Sequence, residues 1–215
     1  MRLDSKVIAI TGGSQGLGRA LAKACCREGA RVAIIGRDFH KLESVRKEIG
    51  ERVVCFPCDI GDSVEVSNTF KKIEAQMGGL DALVNNAGIY PIFKLETASD
   101  EQLRSVINTN LLGAMYACRE AIPLLKKSRG DIINVSSEAV RFYPPLLSVY
   151  TASKSALEAF SQSLRVELAP SGVRVAALRV GHLLREDPSP LDDETYELMI
   201  KTFEETGFMA STGEG

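Results

Sequence analysis

Six short apolar runs, residues 6–10, 31–35, 53–56, 80–84, 132–135 and 173–178, alternate with helical patterns along the chain. This alternation limits the possible folds more than any other feature. Parallel strands cannot be joined by a tight turn. They need crossovers of a dozen or more residues, and the crossover helices then cover the sheet on both faces. Strands buried on both sides read as continuous apolar runs rather than alternating ones, as these do. The patterns between them predict helices over 16–29, 39–49, 63–77, 99–126 and 150–168, with a short one near 195–205. The expectation is an α/β protein, a parallel sheet with helices on both faces. A length of 215 residues suits a single domain with a substantial core.

Composition excludes several classes of function. There are 26 basic and 28 acidic residues, dispersed along the chain, for a formal net charge of −2. No basic stripe points to nucleic acid, and no apolar run approaches the ~18 residues of a membrane span. The start, Met1 to Lys6, leads into a strand rather than a signal-peptide core, so the expected location is cytoplasmic. Of five cysteines, Cys55 and Cys58 have C-x-x-C spacing, but with no second pair or nearby histidine. Buried, inert thiols are expected there, and no metal site.

Two stretches carry chemistry. Directly after the first strand comes Thr11-Gly12-Gly13-Ser14-Gln15-Gly16-Leu17-Gly18, with a helix starting inside it. A glycine turn lets a ligand approach the backbone, and the helix N-terminus offers unpaired N–H groups to a pyrophosphate. The absence of a Gly-Lys-Ser/Thr ending excludes a P-loop. Further on, Ser137 ends a strand and Tyr150 opens a helix. Lys154 lies four residues later, one turn along the same face. An ammonium beside a phenol favours the phenolate and would lower its pKa from about 10. A serine-hydrolase reading needs a histidine to activate Ser137, and His40 and His182 are the only two.

Together these elements resemble the short-chain dehydrogenase/reductase family in its single-domain form. The matching residues are Thr11-Gly12 with Gly16-Leu17-Gly18, then Asn85-Asn86-Ala87-Gly88, Asn110, Ser137, and Tyr150 with Lys154, over about residues 5–182. The resemblance implies a three-layer, doubly wound parallel sheet (Rossmann fold) with six strands in the order 3-2-1-4-5-6. It implies a single dinucleotide-binding and catalytic domain over 1–215, in which 183–215 is a substrate-loop region that ends early. The reaction implied is hydride transfer between a nicotinamide cofactor and a carbonyl or secondary alcohol. Tyr150 would be the general acid or base, Lys154 would tune it and hold the ribose, and Ser137 would polarise the substrate oxygen. Asn110 would hold a water in a proton relay. Gly12, Ser14, Gln15, Gly16, Leu17 and Gly18 would cradle the pyrophosphate, with Asp59 and Ile60 at the adenine. Asn86, Ala87 and Gly88 would wall the adenosine, and Gly181 would approach the nicotinamide amide. Relatives form dimers or tetramers through the helices over 102–127 and 150–169, so a homo-oligomer is expected.

After the second strand the chain reads Gly36-Arg37-Asp38. Gly36 stands where NAD-preferring relatives carry an acid, and Arg37 could grip a 2′-phosphate. NADP is therefore favoured over NAD, with the alternative that Asp38 pairs with Arg37 instead. The chain departs from the family in reading Val180-Gly181-His182-Leu183-Leu184-Arg185 after the sixth strand, and in ending without the usual seventh strand. Either the sequence is a fragment or the fold tolerates the loss, and the sixth strand would be an exposed edge. The segments 89–93, 143–147 and 182–184 are mostly apolar, which suggests an apolar carbonyl substrate. Two other readings remain: a dinucleotide-binding sensor or partner subunit without useful turnover, and an epimerase or dehydratase, which would need a longer C-terminal region.

Overall fold

A computed structural model describes residues 1–181 and 192–208. Six parallel strands form one sheet: β1 (Val7–Thr11), β2 (Arg31–Gly36), β3 (Val53–Pro57), β4 (Ala82–Asn85), β5 (Asp131–Ser137) and β6 (Arg174–Val180). Their order is β3-β2-β1-β4-β5-β6, as the resemblance implied, and no seventh strand occurs among the described residues. The helices are α1 (Gly16–Arg27), α2 (Phe39–Ile49), α3 (Ser63–Met77), α4 (Asp100–Ile107), α5 (Gly113–Ser128), α6 (Ala139–Phe142), α7 (Ser148–Leu168) and α8 (Asp193–Thr206).

The sheet has two cores because successive side chains on a strand point to opposite faces. Val7, Ala9, Ala33 and Ile35 enter one core, with Phe70 and Ile73 of α3, Ala117 and Leu125 of α5, and Leu164 of α7. Ile8, Ile10, Val32 and Ile34 enter the other, with Ala22 of α1 and Leu42 and Val45 of α2. Gly113, Ala114, Ala117 and Ala121 are buried within the chain, so intrachain packing accounts for their small size. Cys55 packs toward the second core and Cys58 lies in the first, so the two turn to opposite faces. Burial pushes the Cys55 thiol up to about 12 and raises that of Cys58.

The predicted long helix over 99–126 is interrupted. A π-helical turn, Asn108–Leu112, separates α4 from α5 and brings Asn110 to the site. At the far edge β6 pairs only with β5 among the described strands, and Leu178 is 49% exposed.

Candidate active site

The glycine turn is shaped by close approach. The carbonyl of Ile35 accepts the Gly12 N–H at 2.8 Å. A Cβ on Gly12 would stand 2.9 Å from the Ala87 Cα, and one on Gly18 would collide with the Gly12 carbonyl. Gly16 takes a φ of +50° and faces open space. Unlike α2, α3 and α4, which Asp38, Asp62 and Ser99 cap, α1 has no side-chain cap and no acid in its first turn. Its N–H groups are thus left for an anionic ligand at a widened, glycine-lined approach, and a pyrophosphate fits that cradle. Ser14, Gln15 and Leu17 line the same turn, half-buried or exposed.

Asn86, expected in the adenosine wall, also holds the glycine turn in place. Its side-chain amide donates to the carbonyls of Thr11 and Gly12 at 3.0 and 3.2 Å. The backbone N–H groups of Asn86 and Ala87 both donate to the Thr11 hydroxyl at 3.0 Å. This segment braces the glycine turn from the side. Ile60 is buried against Gly113. Asp59 accepts the Gly61 N–H on one carboxylate oxygen at 2.9 Å, while its own N–H donates to Glu65. At the end of β2, Arg37 is exposed and makes no ion pair among the described residues. Asp38, the alternative partner for Arg37, instead accepts the Lys41 N–H at 3.1 Å as the cap of α2.

The reacting groups meet at the C-terminal ends of β4 and β5. Lys154 is 4% exposed and donates to the Val135 carbonyl at 2.8 Å. Asn110, 1% exposed, exchanges two hydrogen bonds with the Ile89 backbone at 2.8 Å and donates to the Ser153 hydroxyl at 3.1 Å. A Cβ on Gly88 would touch both the Asn110 oxygen and the Lys154 amine at 3.4 Å, so a side chain at 88 would crowd the gap between them. The Ser137 hydroxyl accepts the Ala139 N–H at 3.1 Å. Among the described residues, the nearest atom to a Cβ on Gly181 would be Glu138 Cγ at 3.9 Å.

The electrostatics differ from the sequence expectation. The Lys154 amine lies 5.9 Å from the centre of the Tyr150 ring. Burial alone depresses Lys154 to about 8. The Tyr150 phenol is raised above its usual 10, chiefly by burial, with the Ser137 hydroxyl acting in the opposite direction and Tyr90 adding to the rise. At neutral pH Tyr150 therefore carries its proton.

Tyr90, which the sequence offered only as part of a pocket wall, packs edge-on against Tyr150, with ring centroids 6.1 Å apart at 65°. Tyr143 and Leu146, on either side of Pro144-Pro145, both take positive φ (51° and 65°), which costs a non-glycine residue energy. The Phe93 N–H donates to the Leu146 carbonyl at 3.3 Å, joining two of the apolar segments. The third segment, 182–184, lies outside the described residues, as do 183–191 and 209–215 of the 183–215 region.

The short chain dehydrogenase family matches residues 6–186. The chain is 36% identical to a bovine 3-oxoacyl-acyl-carrier-protein reductase over 190 residues, 88% of this chain and 80% of that protein. It is 34% identical to a 3beta-hydroxysteroid dehydrogenase of Mediterraneibacter gnavus over 181 residues, 82% of this chain and 66% of that one. The crystal structure of a 3-ketoacyl-(acyl-carrier-protein) reductase from Brucella melitensis, complexed with NADH, superposes with a TM-score of 0.81 at 32% identity. It covers 83% of this chain and 76% of its own.

Proposed function

We propose, from the premise that this chain belongs to the short-chain dehydrogenase family, that it is an NADPH-dependent reductase of apolar carbonyl compounds. It is an oxidoreductase acting between C=O and CH–OH with a nicotinamide dinucleotide. The finer steps are the cofactor, the substrate class and the residue roles. The observation that carries them is the convergence of Tyr150, Ser137, Lys154 and Asn110 beside a glycine turn whose helix end is uncapped.

The bound nicotinamide supplies the hydride. Tyr150, held protonated by burial, donates a proton to the substrate oxygen as charge develops there, which suits reduction at neutral pH. The Ser137 hydroxyl would donate to the same oxygen. Lys154 and Asn110 hold the base of the site, where a ribose and a relay water would be gripped, and Asp59 has one carboxylate oxygen left for an adenine amino group. NADP is favoured because Gly36 carries no acid and Arg37 is unpaired while Asp38 caps α2. The Brucella enzyme was solved with NADH, so this preference rests on Arg37 in the present chain.

Segments 89–93 and 143–147 offer Tyr90 and Tyr143 to a substrate, which fits an acyl chain or a fused ring system; the named activities of the two relatives are of those kinds. We place the protein in the cytoplasm as a homo-oligomer, associating through the outer faces of α5 and α7, where Val166 is exposed. The second reading, dinucleotide binding without useful turnover, is favoured by the outer edge of β6, which has no partner among the described strands.

The test is consumption of NADPH by the purified chain with acetoacetyl-coenzyme A and with an aromatic diketone, alongside Tyr150→Phe. Turnover that falls by about a thousandfold in the variant while NADPH still binds supports the reductase. Cofactor binding with no turnover on either carbonyl favours the second reading.

A further inference from the structure

Ser136 sits beside Ser137 but takes no part in the reacting group. It is 2% exposed, and its hydroxyl donates to the Glu158 carboxylate of α7 at 2.7 Å. Glu158 is also held in a fork by Arg179 of β6, with Nε at 2.8 Å on one oxygen and a terminal nitrogen at 2.7 Å on the other. Ser136 and Arg179 are register partners on adjacent strands. Three elements are thus joined at one carboxylate.

The position of that carboxylate gives the join its significance. Glu158 lies four residues beyond Lys154, on the same face of α7 and one turn further on. Val135, whose carbonyl accepts the Lys154 amine, immediately precedes Ser136. The two attachments form a short closed loop: Val135 to Ser136 along β5, Lys154 to Glu158 along α7, with a hydrogen bond at each end. Arg179 completes it from β6, which has no described neighbour on its outer side. Glu138 strengthens the same end, its N–H donating to the Val180 carbonyl at 3.0 Å. A bidentate, charge-assisted pair is among the stronger polar contacts available. Without Glu158 the Ser136 hydroxyl would also be buried with no partner.

We infer that Ser136, Glu158 and Arg179 form a clamp that positions Lys154 and Ser137 against each other in the active site. This rests on the reductase reading above. The three are positioning residues: their side chains bond to one another and not to Lys154, Tyr150 or Ser137. Releasing the clamp lets α7 shift from β5, and a displacement of about 1 Å at reacting groups costs up to about a hundredfold in rate.

The experiment uses the full chain and two variants that leave the local net charge unchanged: Ser136→Ala, and the double variant Glu158→Gln with Arg179→Gln. Three readouts are taken: thermal midpoint, the titration of the Lys154 amine by carbon NMR of labelled lysine, and kcat and KM for NADPH-dependent reduction of acetoacetyl-coenzyme A. The clamp predicts that the Lys154 midpoint climbs from about 8 toward its ordinary 10.5 as water reaches the amine. It also predicts that kcat falls about tenfold while KM for the carbonyl changes less than about threefold. An unmoved Lys154 midpoint in both variants, whatever happens to the thermal midpoint, would reduce these residues to a strut and overturn the proposal. A parent chain that turns over no carbonyl defeats the reductase reading alone, because the lysine titration still decides the clamp.

Discussion

Lys154 gives its amine to the Val135 carbonyl at 2.8 Å, and burial is the sole cause of its depressed pKa. Its folded value of about 8 lies below the 10.5 of an ordinary lysine. Between these two pH values the unfolded chain keeps a proton that the folded chain has released, so stability rises with pH across the window. Below about 8 both states are protonated and the cost of burying the ammonium is greatest. Lys154→Met removes the titration. Urea unfolding of parent and variant from about pH 7.5 to 10.5 should show the parent gaining about 3 kcal/mol relative to the variant. A constant difference across that range would mean that the amine is not desolvated.

The glycine turn makes a sharper prediction about shape. A Cβ on Gly18 has nowhere to go but into the Gly12 carbonyl, whereas one on Gly16 enters open space. Gly18→Ala should cost about 1–3 kcal/mol of stability through overpacking and weaken NADPH binding at least about tenfold, because the start of α1 must move off the turn. Gly16→Ala should cost about 1 kcal/mol, from its positive φ alone. Equal effects at both positions, in thermal melts and fluorescence titration, would refute the close-packed cradle.

Much of this fold was legible in the sequence, for identifiable local reasons. The predicted bounds of α2 and α3 match those observed, because Asp38 and Asp62 cap their starts and Gly50 and Gly78 follow their ends. Strand order followed from the resemblance. The π-helical turn at Asn108–Leu112 was not legible: one extra residue in a helical turn leaves no periodic mark, and the hydrogen bonds of Asn110 go to Ile89 and Ser153, far along the chain. The rise of the Tyr150 phenol was not legible either: spacing places Lys154 on the same face, but the burial that dominates the phenol comes only with the fold. Glu158 was missed because its partners Ser136 and Arg179 lie on other elements, each more than twenty residues distant.

The outer edge of β6 predicts behaviour in solution. Leu178 is 49% exposed on a strand that pairs on one side only among the described strands. Open edges with apolar side chains template association, and a lysine there blocks it. Leu178→Lys should lower the concentration-dependent association seen by light scattering and shift stability by less than about 0.5 kcal/mol. Association unchanged by the substitution would place the contact elsewhere.

The proposed preference for NADP rests on Arg37. Its neighbour Asp38 is engaged by the Lys41 N–H, so the guanidinium is available to a 2′-phosphate, and Gly36 adds no competing carboxylate. Hydrogen bonds from a charged donor contribute about 1.5–3 kcal/mol when desolvated. This guanidinium is exposed, so solvent screening should hold the gain near the lower end. Arg37→Ala should therefore weaken NADPH binding about tenfold and leave NADH binding within about twofold. Raising the salt concentration should weaken NADPH binding to the parent more than to the variant, since only the parent retains the ion pair. Fluorescence titration of both cofactors, with and without added salt, reads all of these quantities. Equal losses for NADPH and NADH would assign Arg37 a role in folding the end of β2 and leave the NADP preference without a basis.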